Sequence, residues 1–142
     1  MFSKEESRQI RQEFWTSFGK SFPRKWILYN TKIKGLTFKF HFDTKKALVA
    51  LDLETDLENR IKFWEKLIAL KSIIKTDFLP EAIFEEEYVL ENGKEISRIY
   101  VALNENVSIH DKNTWRSTMN FFNDTMILFE SFFDTYKEII DS

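Results

Sequence analysis

Apolar residues recur every four positions at Ile10, Phe14, Phe18 and Phe22, and this period predicts an amphipathic helix over residues 3–22. Ser3 and Glu6 stand at capping-box spacing at its start, and Pro23 closes it. Trp26 to Tyr29 reads as a short strand or a turn. After Gly35 the period changes to two: Leu36, Phe38, Phe40 and Phe42 alternate with Thr37, Lys39, His41 and Asp43, the pattern of a half-buried strand. A turn at residues 43–46 leads to a second strand over residues 47–54. Its Ala47, Val49, Leu51 and Leu53 share one side, while Leu48 and Ala50 make the other side partly apolar, so the two runs form a hairpin. The helical period returns over residues 56–75 at Leu57, Ile61, Trp64, Leu67, Ile68 and Ile74, with Arg60, Lys62 and Lys66 on the outward side.

Pro80 resets the chain, and two β-rich runs, 82–90 and 96–103, flank Glu91-Asn92-Gly93-Lys94. Asn-Gly between such runs signals a hairpin. A short strand at residues 107–109 precedes a long helix that Asn113 or Thr114 can cap. Trp115, Met119, Phe122, Met126, Phe129, Phe133, Tyr136 and Ile140 make a heptad seam along it, widened by Phe121, Leu128 and Phe132. A stripe that wide predicts packing against an internal sheet rather than an isolated coiled coil. The fold expected is α+β: a single domain over residues 1–142, with an antiparallel sheet of two β-hairpins packed against three helices in the order α-β-β-α-β-β-α.

Composition and charge change this picture in four ways. Fifteen Phe, four Trp and four Tyr among 142 residues predict a core built on rings. The absence of Cys excludes thiol nucleophiles, redox dithiols and disulfides, and three Gly leave no phosphate-binding loop or dinucleotide fingerprint. No apolar run reaches the ~18 residues that would span a bilayer, so a cytoplasmic protein without membrane contact is expected. The net charge of −2 hides an asymmetry: residues 1–75 carry +7 and residues 76–142 carry −9. Such polarity suits a polyanion-binding face, and equally a pairing of the two halves or a homodimer.

Three strings occur together: Phe14-Trp15-Thr16-Ser17-Phe18-Gly19, then Trp26-Ile27-Leu28-Tyr29-Asn30-Thr31-Lys32-Ile33-Lys34, and Gly93-Lys94-Glu95-Ile96-Ser97-Arg98-Ile99-Tyr100-Val101. With Trp115 and the aromatic final helix, they resemble the bacterial family called domain of unknown function 4268 over nearly the whole chain. The resemblance implies a bacterial cytoplasmic domain, often found behind a nuclease-like domain in longer proteins, and brings no activity or catalytic residues. At Lys32 the chain departs from the family, where a glycine is expected.

Two constellations carry candidate chemistry. A two-residue Asn92-Gly93 turn sets Glu87 opposite Arg98 and Glu85 opposite Tyr100, so that Glu85, Glu87, Arg98 and Tyr100 converge on a polar sheet face. They could hold a partner's basic group, a cation or a proton, or simply form a solvated cross-strand ion pair. Phe84, Tyr88, Leu90, Ile99, Val101 and Leu103 then form the core side. The second constellation is residues 20–46, with Lys20, Arg24, Lys25, Lys32, Lys34, Lys39, Lys45 and Lys46 against Asp43 alone. Lys32, Lys34 and Lys39 could neutralise phosphates while Trp26 and Tyr29 stack on bases, although a pI near 5.8 and the core character of Phe38, Phe40 and Phe42 weigh against it.

Other chemistry finds little support. Asp43-Thr44-Lys45 has acid-x-Lys spacing but lies in a turn, and Asp52 and Glu54 lack a Lys two residues on, so no intact nuclease centre is expected. His41 and His110 stand in no metal-binding pattern. No catalytic residue, metal ligand or cofactor is assigned. The function expected is a non-catalytic binding or accessory module of a bacterial cytoplasmic system that contacts a nucleic acid or a protein. The alternative is a degenerate or unrecognised nuclease-associated enzyme with its polar site on the second hairpin.

Overall fold

The computed structural model describes residues 2–142. Helix α1 (Lys4–Ser21) begins with the capping box expected of Ser3 and Glu6, each side chain meeting the other's backbone N–H at 3.1 Å. Strands β1 (Leu36–Phe42) and β2 (Ala47–Leu53) follow, then α2 (Leu57–Ala69), capped by Asp56. In place of one helix to residue 75, α2 stops at Leu70, a short α3 (Lys71–Ile73) resumes, and a π-helical turn (Ile74–Phe78) ends the segment before Pro80. The wider turn carries Phe78 to Phe132 and Tyr136 of the last helix, with ring centroids 5.6 and 6.2 Å apart. Strands β3 (Ile83–Val89) and β4 (Glu95–Ala102) form the second hairpin, and α4 (Trp115–Ile140) closes the chain. Residues 107–109 form no strand; Ile109 instead donates to the Asp43 carbonyl and accepts from the Trp115 indole N–H.

All four strands are antiparallel, in the order β1-β2-β4-β3. One face, with Phe38, Phe40 and Phe42 of β1, Val49 and Leu51 of β2 and Ile99 and Val101 of β4, lies under the helices. There the expected ring core forms: Phe14, Phe18, Phe40, Phe42 and Phe122 meet one another at centroid distances of 4.8 to 6.3 Å, mostly tilted or edge-on. Trp64 of α2 covers Phe84 of β3. The stripe on α4 is used by this sheet, Phe38 touching both Phe129 and Phe133. The structure is thus one α+β domain of two hairpins and three main helices.

One outward assignment fails. Arg60 is buried, and its guanidinium donates to the backbone carbonyl of Glu95 at 2.9 Å and its carboxylate at 2.7 Å. Helical period sorts residues by direction, and a long side chain can follow the surface to a strand end that the period does not reveal.

The β3–β4 register also departs from expectation. Gly93 (φ +87°) is the left-handed residue after a turn closed by its N–H to the Leu90 carbonyl, giving a three-residue loop rather than a two-residue one. A bulge between Glu85 and Tyr88 adds a further shift, so Glu85 faces Arg98 and Ile83 faces Tyr100.

Candidate binding surface

The face of the sheet away from the helices carries Lys39 and His41 of β1, Leu48, Ala50 and Asp52 of β2, Arg98 and Tyr100 of β4, and Glu85 and Tyr88 of β3. Its centre is Asp52, fully buried, which receives Nε and Nη2 of Arg98 at 2.7 and 2.9 Å. Lys39 Nζ adds a second cation at 3.3 Å. Tyr100 donates to Glu85 at 2.8 Å, and the Arg98 guanidinium lies 4.4 Å over the Tyr88 ring.

The electrostatics follow from these contacts. Burial pulls the Arg98 guanidinium down, but its hydrogen bonds to Asp52 and the attraction of that carboxylate outweigh this and leave it above its ordinary value. For Tyr100, burial first and then the bond to Glu85 push the phenol up to about 12, so it stays a hydrogen-bond donor throughout the neutral range. Beside Arg98 lies a cavity of about 210 Å3 lined by His41, Lys46, Leu48, Tyr88, Leu90 and Glu91. At its edge His41 Nε2 meets Asp43 Oδ2 at 2.7 Å. Burial would raise Asp43, but this bond and the N–H groups of Lys45 and Lys46 prevail and lower it.

Glu85, Arg98 and Tyr100 therefore converge, whereas Glu87 lies exposed in the bulge and forms no ion pair among the described residues. Tyr88 and Leu90, expected on the core side, are turned by the same bulge to line the cavity. Asp52 is the residue that sequence reasoning left out of this cluster. Its signal is that of a lone carboxylate within the run Ala-Leu-Val-Ala-Leu-Asp-Leu, every position of which is buried.

The basic constellation divides. Lys39 joins the polar face and Arg24 binds Glu130 at 3.0 Å. Trp26 is half-buried at the edge of the core, packed against Phe18 and Phe40 with Arg24 over its ring at 5.0 Å, so its ring is already engaged. Tyr29, 83% exposed, and the exposed Lys32 and Lys34 remain together on the loop from α1 to β1. This loop is fixed from below by buried Glu130, which also accepts the Ile27 N–H at 2.7 Å. Lys32 is left-handed (φ +67°), a backbone conformation that favours glycine over any residue with a Cβ.

The fold and surface define an α+β domain with a helix-covered sheet and one polar face turned outward. Among the described residues there is no group of three or more His, Cys, Asp or Glu placed to hold a metal ion, and no helix long and apolar enough to cross a membrane. The family model for domain of unknown function 4268 matches residues 10–137, and the chain belongs to that family. No curated protein and no solved structure matches it.

Proposed function

We propose that the chain is a non-catalytic binding or accessory module of a bacterial cytoplasmic system, and that it contacts a protein partner along the β1 border, where the polar sheet face meets the loop bearing Tyr29, Lys32 and Lys34. The observation that carries this reading is the internal pairing of the polar face. Asp52, Arg98, Lys39, Glu85 and Tyr100 are committed to one another, which makes a rigid patterned surface and leaves no free acid or base at its centre. The same commitment weighs against an enzyme built on Glu85, Glu87, Arg98 and Tyr100, as does the displacement of Glu87 by the bulge.

A nucleic-acid partner is the second reading. It is favoured by Lys20, Lys25, Lys32, Lys34, Lys45 and Lys46, none of which has an ion-pair partner among the described residues, together with exposed Tyr29. With Trp26 half-buried against Phe18 and Phe40, the segment offers cations but only one fully exposed ring for stacking on bases. Fluorescence anisotropy with labelled single-stranded and duplex DNA and RNA separates the two readings. The protein-partner reading expects no saturable binding at physiological salt. Binding that falls steeply with salt and is lost in the Lys32→Glu/Lys34→Glu double variant replaces it with nucleic-acid contact.

A further inference from the structure

We infer that the outer edge of β1 is a docking groove for an extended acidic peptide segment of a partner protein, which adds as a fifth strand. The inference rests on the binding-module reading and specifies how the partner is held.

In the β1–β2 register, Thr37, Lys39 and His41 exchange hydrogen bonds with β2, which turns the N–H and C=O groups of Leu36, Phe38, Phe40 and Phe42 outward. The first of these are already used: Leu36 N–H donates to Ile33, its carbonyl accepts from Thr31, and Phe38 N–H donates to Leu28 at 2.9 Å. Beyond that point the Phe38 carbonyl, both groups of Phe40 and the Phe42 N–H have no protein partner among the described residues. They present two acceptors and two donors to one extended chain.

Side chains make a seat beside this ladder. Trp15, Leu28, Tyr29 and Phe40, with Thr37, Phe38 and Lys39, line a largely apolar groove of about 350 Å3, large enough for an aliphatic side chain of the incoming strand. Trp15 and Tyr29 are exposed there. Charge selects the occupant: Lys32 and Lys34 precede the strand, Lys45 and Lys46 follow it, and none of the four is paired to an acid among the described residues. An acidic segment with an apolar anchor matches both the groove and its rim. A second copy does not. Joining β1 to β1 sets these lysines against their equivalents, and the β3 edge is broken by its bulge.

The experiment uses the whole chain with a fluorescein-labelled, strand-length peptide of alternating Glu and Val around a central Leu. Amide spectra of the isotope-labelled protein are recorded alongside the binding curves. The Phe40 and Phe42 N–H groups are expected to shift and to gain protection from exchange on binding. N-methylation of the two peptide amides that face the edge should weaken binding about tenfold or more, as should replacing Glu by Lys in the peptide. Tyr29→Ala and Lys32→Glu/Lys34→Glu alter only exposed side chains and should weaken the peptide while leaving the fold intact.

Undiminished binding of the N-methylated peptide, unmoved Phe40 and Phe42 amides, or no binding at all overturns strand addition. If the shifts fall instead on His41, Leu48 and Tyr88, strand addition is wrong and the binding-module reading stands on the polar cavity. Salt-steep nucleic-acid binding with no response to the peptide overturns both.

Discussion

The Asp52–Arg98 pair sets a demanding test of how the sheet is held together. Asp52→Asn preserves the shape and removes the charge, leaving the Arg98 guanidinium, with 7% of its side chain exposed, without a buried counter-charge. Breaking a buried pair from one side costs about 3–5 kcal/mol. Two features place the cost near the lower end: the Tyr88 face 4.4 Å away, and the adjoining cavity that lets water approach. About 3 kcal/mol is a large part of the ~5–15 kcal/mol available to a domain of this kind. With an unfolding entropy of ~2.1 cal/mol/K per residue over 142 residues, it corresponds to a fall in Tm of ~10 °C. Removing both charges together, as Asp52→Leu with Arg98→Met, should recover most of that loss, because no uncompensated ion remains. Lys39→Met should cost only ~0–1 kcal/mol, since Lys39 is 43% exposed and water can replace its partner. Urea unfolding followed by tryptophan fluorescence measures all three. A cost of less than about 1 kcal/mol for Asp52→Asn, or a double variant no more stable than the single one, would rule out a buried ion pair as the tie between β2 and β4.

Lys32→Gly should raise stability by up to ~1 kcal/mol, the left-handed strain released being partly offset by the greater freedom of glycine in the unfolded chain; thermal melts read this directly. Gly35→Ala should do the reverse and lower Tm clearly, since its φ is +86° and an added Cβ would sit 2.6 Å from Thr55 Cβ. Tyr100 has a folded pKa raised above its unfolded value, so its contribution is fully present below pH ~10 and disappears as pH rises toward about 12. Stability measured across that alkaline window should fall less in Tyr100→Phe than in the unaltered chain. Glu130→Ala strips the Ile27 N–H and Arg24 of their shared partner and should cost ~2 kcal/mol, with faster amide exchange at Ile27 as the local sign.

Much of the architecture was legible because it is periodic. The capping box, the alternation from Leu36 to Phe42 and the wide stripe on the last helix each encode a local element and the face it buries, and each occupies its expected place. The missed features depend on pairs distant in sequence or on single-residue irregularities. Nothing local announces that β2 lies beside β4, so the partnership of Asp52 with Arg98, 46 residues apart, was invisible. Asn92-Gly93 signals a hairpin but does not count its loop residues. One more loop residue and one bulge sufficed to bring Tyr88 onto the polar face and move Glu87 away from Arg98. Trp26 shows the limit for recognition residues: composition places it among lysines, and only packing reveals that its ring is half-buried against Phe18 and Phe40.

The unlike borders of the sheet also govern valency. β3 ends the sheet with a bulge and three consecutive glutamates, whereas β1 ends it with straight, open backbone between lysine clusters. A sheet with one receptive border offers a partner strand a single place to join the domain. The lysines thereby act as gatekeepers for the aromatic strand that carries Phe38, Phe40 and Phe42. Neutralising them by acylation would turn a selective border into a sticky one.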